Sequence, residues 1–192
     1  MSMSYQSSAS FFEAKYQKMA DPWNFAGSPY ELGRYEAILS ALSPRRYRRA
    51  FEPGCSVGVL TERLAGICDA VEAVDFSPTA VAHARQRCEH LPNVLVSCQS
   101  LIEFFSVERF DLIILSEIGY YWKPEEWSEL SESLMTRMAE GATLLATHWL
   151  GSSADHHMNG DQVHSILESN SHLHLEHSER HEAFRLDRWI RI

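Results

Sequence analysis

The chain has 192 residues, 45% of them hydrophobic and 22% charged, with a formal net charge of −9. That length suits one domain, and the acidic balance opposes general attraction to nucleic acid. No long apolar run occurs, and Met1–Ser10 has neither a basic stretch nor an apolar core, so no membrane span or signal peptide is expected and a cytoplasmic location is.

The Ser-rich first ten residues read as frayed, whereas Phe11–Met19 spaces aromatic and apolar residues as a helix does. Asp21-Pro22-Trp23-Asn24-Phe25 sets turn formers beside two large rings, and Pro29 then opens a helix reaching about Leu42. Leu32, Tyr35 and Leu39 share its apolar face, and Arg34 is expected to point partly away from it. Residues 11–42 therefore read as a helical cover. Arg45, Arg46, Arg48 and Arg49 form a short basic cluster, better suited to a solvated connection than to a phosphate-binding surface.

Strand and helix then alternate. Ala50–Glu52 ends a first strand, Val57–Leu64 reads as helix, Ala70–Val74 as strand, Pro78–Cys88 as helix and Val94–Cys98 as a third strand. Asp111–Leu115 is apolar enough for burial on both sheet faces. A helix over Glu125–Met138, a strand over Thr143–Thr147 and a helix over Gln162–Glu168 follow. Two adjacent strands, Leu173–His177 and Ala183–Trp189, end the pattern. It predicts one α/β domain over 1–192, with a mostly parallel seven-stranded sheet closed by an antiparallel hairpin. Gly151–Gly160 reads as a mobile loop beyond a strand end. The four cysteines lack short paired spacings, which argues against a disulfide scaffold or a thiolate zinc site.

The sharpest motif is Phe51-Glu52-Pro53-Gly54-Cys55-Ser56-Val57-Gly58. Gly54 permits a tight departure from the first strand, and Gly58 a close approach at the helix start. Asp75 ends the second strand twenty-three residues after Glu52, where a carboxylate can accept both ribose hydroxyls of a nucleoside. Ser56 fills the middle place of a dinucleotide fingerprint, and no Walker lysine follows Gly58, so a ribose-bearing cofactor without phosphates fits best. Glu117 follows the apolar fourth strand beside Tyr120, Tyr121 and Trp122, an aromatic pocket with polar edges. Glu117 could instead stabilise its loop. His148 ends another strand and is a candidate proton acceptor, with a satisfied strand-end hydrogen bond as the plainer alternative. Eight of the ten histidines lie from His148 onward. His156 or His157 with Asp161 could be imagined on a metal, but the spacings specify none and no required metal is expected.

With these motifs the chain resembles the class I S-adenosylmethionine-dependent methyltransferases, over almost its whole length. The Asp21–Phe25 segment, Ser28-Pro29-Tyr30-Glu31, and Glu117 followed by Tyr120-Tyr121 make it most similar to the nodulation protein S family, N-methyltransferases of a deacetylated chitooligosaccharide amine. The resemblance implies S-adenosyl-L-methionine as donor, its methionyl part near Glu52, Gly54, Cys55 and Gly58 and its ribose on Asp75. Phe76, Ser77, Gln99, Ser100 and Ser116 would complete that site, with Ser100 standing where the family often has an acid. Arg34 would pair with the donor carboxylate and Trp23 would cover the cofactor; a surface arginine and a core tryptophan are their alternatives. Glu117, His148, Tyr120 and Tyr121 would serve an amine acceptor, small molecule or oligosaccharide. A nucleotide-dependent oxidoreductase or a non-catalytic cofactor-sensing protein are the competing readings, and monomer and homodimer both stay open.

Overall fold

The computed structural model describes residues 5–192. In chain order they form α1 (Tyr5–Lys18), α2 (Pro29–Leu42), β1 (Tyr47–Pro53), α3 (Val59–Leu64), β2 (Cys68–Asp75), α4 (Pro78–Cys88), β3 (Val94–Cys98) and β4 (Phe110–Ser116). A 3₁₀ turn at Gly119–Tyr121 leads to α5 (Pro124–Arg137), β5 (Met138–Trp149), α6 (Gly160–Glu168), β6 (Leu173–Arg180) and β7 (Phe184–Arg191). Local chemistry sets the helix starts. Proline occupies the first position of α2, α4 and α5, where its missing N–H costs nothing. The Ser77 hydroxyl accepts from the Ala80 amide at 3.0 Å, and Asn159 and Gln162 cap α6 reciprocally.

The seven strands lie in the order β3-β2-β1-β4-β5-β7-β6. The first five pair in parallel, and β7 runs antiparallel to both β5 and β6. This is the Rossmann-like α/β architecture that the sequence predicts, with one detail the linear pattern does not disclose: β7 inserts between β5 and β6, leaving β6 at the edge. Side chains of β4 alternate between two cores. Ile113 and Leu115 pack with Phe51, Trp127 and Trp189, while Leu112 and Ile114 pack with Ile38, Leu42 and Leu64. Strand order reverses between β1 and β4, so a crevice opens beyond their C-terminal ends, the usual ligand position in open α/β sheets.

Several expectations need correction. The frayed segment is helical from Tyr5, and residues 1–4 lie outside the described residues. Helix α3 starts at Val59 rather than Val57, because Ser56 and Gly58 both take left-handed backbone angles. Strand β5 begins at Met138, before a register shift opposite Phe110/Leu112 and the left-handed Gly141. Gly151–Gly160 is tied down: the His157 amide donates to the Tyr120 carbonyl at 2.8 Å, His156 stacks on Tyr120, and Met158 is buried. Arg34 does not point away; it is 1% exposed, drawn inward by two carboxylates described below.

Candidate functional site

At the end of β1 the chain turns at Gly54, whose φ of 72° favours glycine. A Cβ there would come within 2.6 Å of Ile118 Cγ2. The turn is held by the Gly54 and Cys55 amides, which donate to the Val74 carbonyl at 2.7 and 3.0 Å. Asp75 lies beside it at the end of β2, its carboxylate accepting from the Ser56 amide at 3.0 Å and the Ser77 amide at 2.9 Å. Burial pushes Asp75 up to about 6, against the pull of those amides and with Glu13 adding to the rise. Glu52, also buried, accepts from the Thr61 hydroxyl at 2.6 Å. Burial raises it to about 8, opposed by Thr61 and reinforced by Asp75.

Both acids line a cavity of about 590 Å³, within the usual range for small-molecule sites. Its donor end includes Gly54 and Cys55, with Phe76, Gln99 and Ser100 across the crevice. Two expected contacts fall outside the lining: Gly58 packs against Ala84, and Ser77 caps α4. Above this end lies α1. Glu13 accepts from the hydroxyls of Ser77 (2.6 Å) and Thr79, and the Tyr16 hydroxyl donates to Ser56 Oγ at 2.6 Å. Phe12 packs between the rings of Phe76, Tyr121 and Trp23. Trp23 therefore belongs to an aromatic cover that also lines the cavity.

The other end is organised by Glu117, whose φ of 59° is a left-handed conformation costing a non-glycine residue roughly 1–3 kcal/mol. Its contacts sustain that cost. Oε1 accepts from the Trp149 amide at 2.8 Å and pairs with Arg34 at 2.6 Å, while Oε2 accepts from the Tyr120 hydroxyl. A carboxylate offers about four lone-pair sites, so one site on Oε2 is left. Arg34 also pairs with Glu31 and approaches Ser116 Oγ at 3.5 Å. Burial opposes its charge, but Glu117 and Glu31 together raise the pKa of Arg34. One guanidinium between two carboxylates leaves this end net negative, and it ties Arg34 to the protein's own acids. Ser116, Glu117, Tyr120 and Tyr121 all line the cavity.

His148 does not. It is fully buried beneath the mouth, its Nε2 accepting from the Gly119 amide at 3.0 Å and its Nδ1 3.1 Å from His164 Nε2. The direct proton acceptor expected from sequence thus has both ring nitrogens engaged, and the strand-end hydrogen bond describes its geometry. Sequence reasoning missed Phe12, Glu13, Tyr16 and Glu31 as parts of the site. Only Glu31, one helical turn before Arg34, carried a local signal. Asp161 pairs with Arg180 and Arg185, and among the described residues no group of three or more His, Cys, Asp or Glu is disposed to hold a metal.

The crevice fits a nucleoside donor. Asp75 is a buried carboxylate with unused acceptor capacity, the Gly54 turn has no room for a side chain, and the buried Arg34 Nε lacks a partner. Comparison with known proteins agrees. The chain is similar to an N-methyltransferase, NodS, from Bradyrhizobium japonicum WM9, solved with S-adenosyl-L-homocysteine: the TM-score is 0.84 at 22% identity, covering 95% of this chain and 98% of that one. It is similar to a putative methyltransferase from Pseudomonas syringae at 33% identity and a TM-score of 0.72, covering 84% and 99%. Among curated proteins, nodulation protein S of Rhizobium tropici is 33% identical over 102 residues, 53% of this chain and 43% of that protein. The alignments span about half the length of such relatives, up to 61% for Bradyrhizobium diazoefficiens. The likeness to solved structures makes the fold that of the class I methyltransferases, and residues 9–146 match the family described as nodulation protein S, to which the chain therefore belongs.

Proposed function

We propose that the chain is an S-adenosyl-L-methionine-dependent N-methyltransferase, with an amine of an amino sugar or modified saccharide as acceptor and no required metal. The observation that carries this reading is the single cavity with Asp75 and the Gly54 turn at one end and Glu117, Tyr120 and Tyr121 at the other. Family membership and the solved N-methyltransferase of the same fold support it.

Bound S-adenosyl-L-methionine supplies an activated methyl group, so the protein's task is alignment and exclusion of water rather than covalent assistance. Asp75 accepts a ribose hydroxyl on the one site that the Ser56, Ser77 and Phe76 amides leave free, while the Gly54 turn lets the backbone approach the amino-acid portion. Phe12, Trp23 and Tyr121 close an apolar roof that keeps water from the reacting centre. The net negative Glu31–Arg34–Glu117 group attracts a cationic amine, which gives up one proton to solvent and reacts as the neutral amine. The remaining site on Glu117 Oε2 accepts an acceptor N–H, directing the nitrogen lone pair at the methyl group. Tyr120 and Arg34 fix that carboxylate in place.

Calorimetry with S-adenosyl-L-methionine and S-adenosyl-L-homocysteine, against NAD, tests the donor site. Saturable binding of both sulfur nucleosides and none of NAD is expected, and folded protein that binds neither would overturn the assignment. A mass-resolved screen of free-amine glucosamine oligomers against their N-acetylated counterparts then tests the acceptor class. Methylation confined to free amines is expected, and turnover of only non-amine acceptors would overturn it.

A further inference from the structure

Beneath the acceptor end lie three polar side chains with no exposure to solvent: His148 on β5, His164 on α6 and Asp187 on β7. Their donor and acceptor roles follow from one end. A backbone amide can only donate, so the 3.0 Å bond from Gly119 N–H leaves His148 Nε2 without a proton, and the neutral ring carries its proton on Nδ1. Nδ1 faces His164 Nε2 at 3.1 Å, which must therefore accept. The proton of His164 is then on Nδ1, which donates to Asp187 Oδ2 at 2.7 Å. Arg185 Nε, 2.7 Å from the same oxygen, balances the charge. Every ring nitrogen in the line is used, in one direction only.

The near end is as tightly specified. A Cβ on Gly119 would lie 2.3 Å from Val163 Cγ1 and 3.0 Å from both His148 Nε2 and Trp127 Cζ2. Only glycine lets this amide reach the imidazole. Gly119 sits two residues after the left-handed Glu117 and one before Tyr120, the pair that meets the acceptor. Burial, with His164, Arg34 and His156 adding to it, holds the His148 pKa well below its ordinary value, so the His148 ring stays neutral. Apolar side chains would fill the same space without the cost of burying two imidazoles and a carboxylate. What the polar chain adds is a fixed direction for one amide.

We infer that His148, His164 and Asp187 form a one-way hydrogen-bond relay that locks the Gly119 amide and so positions Glu117 and Tyr120 for the acceptor, with His148 a positioning residue rather than the base. The positioning role rests on the methyl-transfer reading; the relay itself does not. Long-range proton–nitrogen NMR of histidine-labelled protein should find both His148 and His164 as Nδ1–H tautomers. His164→Leu, which removes the acceptor of the His148 proton but leaves the Gly119 amide on Nε2, should keep His148 as the Nδ1–H tautomer and move its Nδ1 proton resonance upfield as that hydrogen bond is lost. A wild-type His148 protonated on Nε2, or an Nδ1 proton resonance unmoved by His164→Leu, overturns the relay even if no acceptor is ever turned over. In kinetics, His148→Leu should lower kcat roughly tenfold or more with the S-adenosyl-L-homocysteine affinity within about twofold, as loss of orientation predicts. His148→Gln, whose carbonyl can still accept from Gly119, should recover most of the loss. Wild-type kcat in folded His148→Leu, or donor affinity falling in parallel with kcat, overturns the positioning role. Should that variant not fold, the same split in His164→Leu decides the matter.

Discussion

Replacing Asp75 by asparagine should abolish a pH dependence that the wild-type donor site is built to show. Burial holds the Asp75 carboxyl up at about 6, whereas ribose hydroxyls are donors and favour the ionised form. Binding must therefore expel a proton wherever Asp75 is still protonated. With a free-state value near 6 and Asp75 ionised throughout in the complex, the affinity for S-adenosyl-L-homocysteine falls by 1 + 10^(6 − pH), roughly tenfold or about 1.4 kcal/mol at pH 5 and negligibly at pH 7. Glu52, raised to about 8, stays protonated over this interval and adds no slope. Calorimetry at pH 5, 6 and 7 in two buffers of different ionisation enthalpy reads both the affinity and the proton count, which should be about half a proton released at pH 6. Asp75→Asn should bind more weakly at pH 7 and show no slope. Wild-type affinity at pH 5 within twofold of that at pH 7, or an equal slope in Asp75→Asn, would refute the argument.

Other perturbations probe separate parts of the structure. Gly54→Ala forces a left-handed alanine, roughly 1–2 kcal/mol, and a contact with Ile118; melting should fall by about 2–8 °C, and a second change, Ile118→Ala, should remove the steric part only, whereas unaltered melting would count against the turn geometry. Glu52→Gln keeps an acceptor for Thr61 but removes a buried acid. The native wild type holds a proton that the unfolded chain has lost above its ordinary 4.5, so wild-type stability is lost as pH rises from about 4.5 through about 8. Melting curves should diverge in the variant's favour by pH 9, on the order of 10 °C, and parallel curves would contradict the burial cost. Glu117→Gln should lower kcat roughly a hundredfold with donor affinity held within about threefold, and an unchanged kcat on an amine acceptor would remove Glu117 from the mechanism. Glu13→Ala, which cuts α1 from Ser77 and Thr79, should speed donor dissociation several-fold in stopped-flow, and an unchanged rate would mean that α1 does not retain the ligand.

What could be read from sequence was whatever local periodicity or a glycine records. The apolar run of β4, the proline-led helices and the Gly54-to-Asp75 spacing appear in the fold where expected. The starts of α3 and β5 were misjudged because left-handed residues at Ser56, Gly58 and Gly141 interrupt patterns that composition alone carries through. Arg34 shows a deeper limit. Its place in a helix gives the direction of its Cβ, but its burial depends on Glu117, a partner 83 residues away. His148, His164 and Asp187 escaped for the same reason, since three elements converge on contacts that leave no spacing in the chain. Phe12, Glu13 and Tyr16 fell on a helix whose spacing marked it as a cover but not what it covers.

The insertion of β7 between β5 and β6 bears on how the molecule is made. During vectorial synthesis, α1 through α6 and β6 leave the ribosome before Phe184–Arg191 does, yet among the described residues β6 pairs with β7 alone. Until β7 arrives, β5 shows a bare edge bearing the apolar Leu144, Leu145 and Ala146, and β6 lacks the strand it pairs with in the fold. Nascent chains should therefore pass through a sticky, half-closed sheet in which β5 is an invitation to intermolecular pairing. Truncations before Phe184 should accumulate as aggregates, whatever the integrity of the Gly54–Asp75 crevice. Strand β7 acts as a clasp, and its arrival closes the sheet between β5 and β6.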